Sequence, residues 1–247
     1  MSVLLVTGGS RGIGAAIAKA AAKKGYDVCV NYVRARDRAD QVAAAVRAEG
    51  RRALVVQADV SREPDITAMF RAVDQDLGPI DALVNNAGID YERLVADVEL
   101  AGIERVFGTN VIGLILCCRE AVRRMSRDRG GRGGTIVNIS SVSARTGGLP
   151  KDVVYTASKG AVDAFTRGLS NEVAGQGVRV CAVRPGLTLT EIFESTLGQE
   201  GVTELARRAV PMGRIGQPEE VAAMVLWLCS PEASYVTGFT YDVSGGR

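Results

Sequence analysis

Tyr155 and Lys159 stand four residues apart in the run VYTASKG (154–160), whose composition suits a helix. Four residues is about one helical turn, so a phenol and an ammonium would share a face. Two readings follow. A polar helix face wets a Tyr tip and a Lys head. Alternatively, a cation beside the phenol stabilises the phenolate and lowers a pKa that is ordinarily about 10. Spacing alone does not separate them. The chain contains no histidine, which excludes Ser-His-Asp and Cys-His nucleophile systems and any metal site with a His ligand. An acid or base here would be Tyr, Lys, Asp, Glu or Cys, and no metal is expected.

A second constellation lies near the amino end. The apolar run Val3–Val6 leads into Thr7-Gly8-Gly9-Ser10-Arg11-Gly12-Ile13-Gly14 and then the helical AAIAKAAAKKG. The glycines at 8, 12 and 14 are spaced G-x3-G-x-G, which differs from G-x-G-x-x-G but meets the same need. They allow a sharp strand-to-helix turn, let backbone approach a pyrophosphate, and leave a helix N-terminus facing the anion. A tight turn without a ligand is the alternative. Ala15 follows Gly14 where a Walker loop requires Lys-Ser/Thr, which disfavours a kinase or ATPase. The second strand ends at Val30-Asn31-Tyr32-Val33-Arg34, and no Asp or Glu occurs from Val28 to Ala35. An acidic residue there would read the ribose 2′-OH of NAD. Arg34, with Arg36 nearby and Arg11 in the turn, suits a 2′-phosphate instead, so NADP is expected over NAD.

The elements that must position these groups show in the hydropathy pattern. Val3–Val6, Val28–Val30, Ala53–Val56, Ala82–Val84, Thr135–Ile139 and Val178–Val183 read as buried strands. Helical segments fall near 12–24, 37–49, 62–77, 110–126 and 155–175. Near-continuous apolar strands alternating with helices indicate a parallel sheet covered on both faces. One α/β domain over 1–247 is expected. The segment 187–216 lacks a clear strand and reads as a lid or an ordinary surface excursion. The 247 residues are 47% hydrophobic with a net charge of +2, too little to argue for a nucleic-acid or membrane field. Six arginines between Arg119 and Arg132 read as a solvated helix end rather than a phosphate-binding patch. The longest uninterrupted apolar runs, such as Val221–Cys229, are far shorter than a membrane span. Five cysteines without a CxxC pair or secretion signal fit a reducing cytoplasm.

Taken in order, several motifs resemble the short-chain dehydrogenase/reductase family along the whole chain. They are TGGSRGIG (7–14), Asp59-Val60, NNAG (85–88), Asn110 in GTNVIG, Ser140-Ser141 in IVNISSVSA, YTASK (155–159), and RPG (184–186) followed by Thr190. The carboxyl end resembles it too, through Pro218–Val221, Tyr235–Gly238 and Gly245-Gly246. The resemblance implies a single-domain Rossmann fold, doubly wound, with a parallel sheet of about seven strands and helices on both faces. It implies hydride transfer between a nicotinamide and a carbonyl or secondary alcohol. Tyr155 takes the acid/base position and Lys159 lowers its pKa and grips the nicotinamide ribose. Ser141 holds the substrate oxygen, and Asn110 interrupts its helix and carries a proton relay. Cofactor contacts carry over to Gly8, Ser10, Arg11, Gly12, Ile13 and Gly14 at the turn, and to Asn31, Tyr32 and Arg34 at the end of the second strand. They continue to Asp59 and Val60 at the adenine, Asn86, Ala87 and Gly88, Tyr155 and Lys159, and Pro185, Gly186, Thr188 and Thr190.

Two departures stand out. The interval from Ser141 to Tyr155 is one residue longer than the family's common spacing, which keeps Ser143 as an alternative to Ser141. Cys181 stands where the family often has Asn. The motifs look most like sugar (glucose 1-) dehydrogenases and 3-oxoacyl carrier-protein reductases. The substrate is a small carbonyl or alcohol, with Ser141, Ser143, Tyr155 and Leu187 contacting it. Tyr91, Arg145, Lys151, Asp152, Ile192 and Phe193 are further lining candidates. Arg145 and Lys151 either favour an anionic substrate or point to solvent. No nucleic acid or membrane partner is expected. The helices near 110–126 and 155–175 imply a dimer or tetramer, with Ile115, Leu116, Phe165 and Leu169 at the contact. The rival reading is a non-catalytic NADP-binding regulator or scaffold on the same fold.

Overall fold

The computed structural model describes residues 2–189, 201 and 203–247. The apolar runs pair as seven strands: β1 (Ser2–Val6), β2 (Tyr26–Tyr32), β3 (Ala53–Gln57), β4 (Ala82–Asn85), β5 (Gly134–Ile139), β6 (Val178–Pro185) and β7 (Thr240–Val243). Every pairing is parallel, in the order β3-β2-β1-β4-β5-β6-β7. The winding direction reverses at β1, whose neighbours are β2 and β4. Such a reversal opens a crevice at the strands' carboxyl ends, where ligands bind in open α/β sheets.

Alternate residues of each strand enter opposite cores. Leu4, Val6, Val28 and Val30 pack with helices α1 (Gly12–Lys23) and α2 (Arg36–Ala48) and with Val221, Val225 and Leu228. Val3, Leu5, Cys29 and Leu83 pack on the other face with Phe70 of α3 (Glu63–Asp76) and with Cys118 and Val162. This two-sided burial is what the strand pattern implied, and the architecture is the single-domain doubly wound Rossmann fold that the resemblance implied.

Three elements escaped the sequence pattern. The helix expected at 110–126 starts ten residues earlier, as α4 (Leu100–Phe107), a π turn (Gly108–Gly113) and α5 (Leu114–Met125). Gly102, Gly108 and Gly113 weaken the helical signal there. Gly113 is required by contact, because a Cβ would collide with the Val60 carbonyl oxygen. The run Leu100–Met125 is long and apolar enough to cross a membrane by length and composition alone. Here it packs against α3, β4 and β5. Beyond α6 (Ser143–Thr146), α7 (Val153–Val173) and the helical residues 203–209 (α8) comes α9 (Pro218–Cys229). Its start is set by Pro218 at the first helical turn and by Glu220, which accepts the Gln217 N–H at 2.7 Å. β7 has four residues and its only aliphatic side chain is Val243, too short a pattern to read as a strand.

Four of the six arginines in the run form local ion pairs. Glu120 accepts from Arg119, Arg123 and Arg124, while Asp74 and Asp81 pair with Arg124 and Arg132.

Leu83 is fully buried at the centre of β4. Leu83→Ala is expected to lower unfolding free energy by about 2–5 kcal/mol, measured by urea titration with an unchanged circular-dichroism spectrum before the transition.

Candidate active site

The glycine turn is built as a cradle. Gly8 and Gly12 have φ of 63° and 53°, in the left-handed region that favours glycine. At Gly14 any Cβ would collide with the Gly8 carbonyl oxygen. Helix α1 starts at Gly12 with no side-chain cap. Its first N–H groups therefore face the crevice without protein partners among the described residues. Unpaired amides at a helix N-terminus are the donor set a pyrophosphate needs. The residues fit a dinucleotide.

Several predicted cofactor residues brace this cradle from behind. Asn31 is buried; its Oδ1 accepts the Gly8 N–H at 3.1 Å and its Nδ2 donates to the Ala58 carbonyl at 2.9 Å. Tyr32 lies in the core at 2% exposure. Both side chains lie buried at the end of β2, next to the glycine turn. Arg34 is exposed, and its guanidinium has no partner among the described residues, as does that of Arg11 beside Ser10 in the turn. Asp59 Oδ1 accepts from Ser61 N–H and Oγ at 2.9 and 2.7 Å, forming the turn into α3, next to buried Val60. Asn86 Nδ2 donates to the Thr7 and Gly8 carbonyls at 3.0 and 3.1 Å. Thr7 Oγ1 accepts the N–H groups of Asn86 and Ala87, each at 3.0 Å. Thr7 was visible in the motif, but nothing in its spacing announces this internal role.

The chemical end is assembled by α7 and the ends of β4 and β5. Asn110 sits in the π turn, as an interrupted helix requires, and clamps Ile89: its Oδ1 accepts the Ile89 N–H and its Nδ2 donates to the Ile89 carbonyl, both at 2.9 Å. The same Nδ2 reaches Ser158 Oγ at 3.1 Å. Ser158, which the motif reading passed over, also donates to the Tyr155 carbonyl at 2.6 Å. Lys159 is buried and donates from Nζ to the Ile139 carbonyl at 2.8 Å. A Cβ at Gly88 would lie 3.5 Å from both Asn110 Oδ1 and Lys159 Nζ, so Gly88, Asn110 and Lys159 meet at one point.

The two serines separate cleanly. Ser140 Oγ donates to the Lys159 carbonyl at 3.2 Å and is spent inside. Ser141 turns the other way, hydrogen-bonding Ser143 Oγ at 3.1 Å and the Tyr155 hydroxyl. In the 147–152 loop between Ser141 and Tyr155, Gly147, Gly148 and Lys151 all have positive φ. Pro185 and buried Thr188 lie at the end of β6, and Gly186 packs so tightly on Ser244 that a Cβ would sit 2.7 Å from its Cα. Leu187 follows at the mouth. Thr190, Ile192 and Phe193 lie outside the described residues.

Burial pushes the Tyr155 phenol up to about 12; the Ser141 hydrogen bond pulls it down, and Asp90 and Asp152 push it further up. Burial lowers Lys159 to about 8, opposed by Asp163. Burial, not the Lys159 ammonium 5.6 Å from the ring centroid, dominates the phenol's shift, which runs opposite to the depression the resemblance implies. Asp90, Glu92 and Asp152 cluster beside it, their carboxylate oxygens within 4.8 Å of one another. Burial comes first, and mutual repulsion next, in raising Asp90 and Asp152. Two suggested substrate contacts have protein partners. Arg145 pairs with Asp242 at 3.0 Å, and Tyr91 packs on Gly102 and accepts the Glu99 N–H at 3.2 Å.

A family profile described as Enoyl-(Acyl carrier protein) reductase matches residues 8–247. The chain is 50% identical to the oxidoreductase YgfF of Escherichia coli (strain K12), with 100% of each covered. It is 38% identical to a 3-oxoacyl-[acyl-carrier-protein] reductase of Synechocystis, covering 99% of this chain and 96% of that one. Its fold is similar to that of a short-chain dehydrogenase from Burkholderia cenocepacia in complex with NADP, with a TM-score of 0.91, 33% identity, and 99% and 97% of the two chains covered.

Lys159 gives a signed test of this electrostatic arrangement. Its folded value of about 8 lies below the ordinary lysine value of 10.5. The unfolded chain therefore binds more protons between those values, and this group's contribution to stability rises with pH across the window and is lost as pH falls through 8. Lys159→Met should raise the thermal midpoint at pH 7, with the gain shrinking as pH approaches 10.5; differential scanning fluorimetry across pH reads it. A pH-independent effect would contradict a buried cation.

Proposed function

The chain belongs to the short-chain dehydrogenase/reductase family of NAD(P)-dependent oxidoreductases, and on that premise we propose that it interconverts a carbonyl and a secondary alcohol using NADP, with Tyr155 as acid/base. The observation that carries this is the convergence of a neutral phenol, the Ser141 hydroxyl and a buried Lys159 ammonium beside the cradle of unpaired amides.

Bound NADPH supplies the hydride. As the carbonyl oxygen gains electron density, Tyr155 Oη gives it a proton, and Ser141 Oγ holds the same oxygen in line. Lys159 keeps a positive charge behind the phenol as it loses its proton, fixed by the Ile139 carbonyl. Asn110 holds the Ile89 backbone and, through Ser158, the α7 turn that bears Tyr155. In the oxidative direction the same groups run in reverse. A regulator would have no use for this complete acid/base set, which favours the enzyme over a scaffold.

Arg34 and Arg11 favour NADP: both are exposed cations at the end of β2 and in the turn, where a 2′-phosphate would need charge-assisted hydrogen bonds. The relative in complex with NADP supports the same reading. The carboxylates of Asp90, Glu92 and Asp152 border the phenol and repel an anion near the reacting carbon, so a substrate neutral at that position fits best. The segment 187–216 is assigned as a lid. Its ends are zipped together, with Leu189 N–H donating to Gly216 at 2.8 Å and Gly216 N–H to Leu187 at 3.0 Å, the closed-end geometry of a compact loop. Exposed Ile112 and Ile115 on the π turn and α5 suit a homo-oligomer. Five free, buried cysteines suit a reducing compartment such as the cytoplasm.

Two measurements test this. Tyr155→Phe should lower kcat by on the order of 10²–10⁴ with NADPH or a panel of sugars, diketones and oxoacyl thioesters, while NADPH binding by fluorescence titration is kept. Turnover at the normal rate in that variant would end the acid/base assignment. Arg34→Ala should weaken NADPH by about tenfold or more and leave NADH within about twofold. Equal loss of both would show that Arg34 does not read the phosphate.

A further inference from the structure

Four charged residues form an alternating chain behind the site. Asp163 Oδ2 accepts from Arg184 at 2.9 Å (Nε) and 2.8 Å (Nη2). Arg184 Nη1 reaches Asp242 Oδ1 at 3.3 Å, and Asp242 Oδ2 pairs with Arg145 Nε at 3.0 Å. Arg145 Nη2 ends the chain on the Arg247 carbonyl at 2.7 Å. The four residues sit on α7, β6, β7 and α6. Asp163 lies one helical turn beyond Lys159, Arg184 directly precedes Pro185-Gly186, and Arg145 follows Ser141 and Ser143 on the same short segment.

We propose that Arg184, Asp242 and Arg145 are positioning residues that hold the Ser141 segment in register with α7, so that Ser141 and Tyr155 converge on one oxygen. The inference rests on the reading of Ser141 and Tyr155 given above. Helix α6 is four residues long, too short to hold itself together. It is followed by Gly147 and Gly148 at φ 88° and 78°, so its carboxyl end has no stiff continuation. On its other side it joins the sheet through Ser140 N–H to Val183 at 2.8 Å and Val142 N–H to Pro185 at 3.1 Å. The Arg145–Asp242 pair supplies a third point of attachment, and Asp242 is itself held by Arg184. Any slide of α6 against α7 breaks a link of the chain.

Stability alone does not account for the chain. Desolvating several charges costs about as much as their pairing returns, so partly buried ion pairs are poor stabilisers and better register devices. Asp163 Oδ1 is buried without a hydrogen-bond partner, a cost that a purely stabilising arrangement would avoid. The geometric return is large, because a displacement of about 1 Å at a reacting group costs on the order of 100-fold in rate.

The test compares Asp242→Asn, Arg145→Gln, their double variant and Arg145→Lys. Butane-2,3-dione and NADPH serve as substrates, and amide hydrogen exchange is followed by mass spectrometry. Each of Asp242→Asn and Arg145→Gln should lower kcat about tenfold with KM for NADPH within about twofold. The double variant should be no worse than either single, because both cut the same link, and Arg145→Lys should keep most of kcat. Amides 142–147 should exchange about tenfold faster in Asp242→Asn and Arg145→Gln, while the β4 and β5 amides do not change. Singles within twofold of the parent kcat, or losses that multiply in the double variant, overturn the inference. Unchanged exchange at 142–147 overturns it whether or not the diketone is a substrate. A parent protein inactive on every carbonyl tested would count against the proposed function instead, since exchange still decides the clamp.

Discussion

A buried ammonium is the constraint around which the carboxyl edge of this sheet is arranged. Lys159 is 4% exposed, with its ammonium donating to the Ile139 carbonyl at the end of β5 and Asp163 acting on it at longer range. A cation in such a place is tolerated only where hydrogen bonds and nearby charge are fixed in advance. The neighbours follow from that demand. Ser140 ties the Lys159 backbone to the end of β5. Asn110, placed by the π turn, holds the Ile89 backbone and Ser158. Gly88 lies beside both Asn110 and Lys159, with room for a Cβ only at van der Waals distance from each. A π turn costs helix regularity and is common at functional sites; here it is what aims an amide inward from a helix that otherwise packs against the sheet.

The phenol and the ammonium are displaced in opposite directions, Tyr155 to about 12 and Lys159 to about 8. Both shifts have burial as their largest cause, and both favour the uncharged form. Asp90 and Asp152 push the phenol the same way, so burial and neighbouring negative charge act together to keep it protonated.

Much of this was legible in the chain. Six of the seven strands stand out as apolar runs, because a two-sided sheet buries both faces of each strand and leaves no alternation to interpret. Gly8, Gly12 and Gly14 are readable for a steric reason that sequence carries directly. Tyr155 and Lys159 are readable because helical spacing is local. What stayed hidden is long-range or inward. Asn31 and Tyr32 sit where a cofactor contact was expected, but an amide that braces a turn and one that touches a ligand look alike in sequence. The helix at 100–107 was masked by glycines whose purpose is contact with Val60 and Tyr91. Thr7 and Ser158 work through partners tens of residues away, and no spacing rule reports such a partner.

Charge was the least legible property, and Arg145 shows why. As a lone arginine beside the catalytic segment it suggested an anionic substrate. Its partner, Asp242, is 97 residues further along and belongs to a four-residue strand that the pattern did not reveal. Once the sheet places β7 beside β6, Asp242 falls between Arg145 and Arg184 and pairs with both. The carboxylates at 90, 92 and 152 come together by the opposite route. Asn110 fixes Ile89, and the Arg93 N–H donates to the Lys151 carbonyl at 3.0 Å, so two loops distant in sequence are stitched across the mouth. Which charges meet at this edge of the sheet is therefore set by backbone topology and not by their order in the chain.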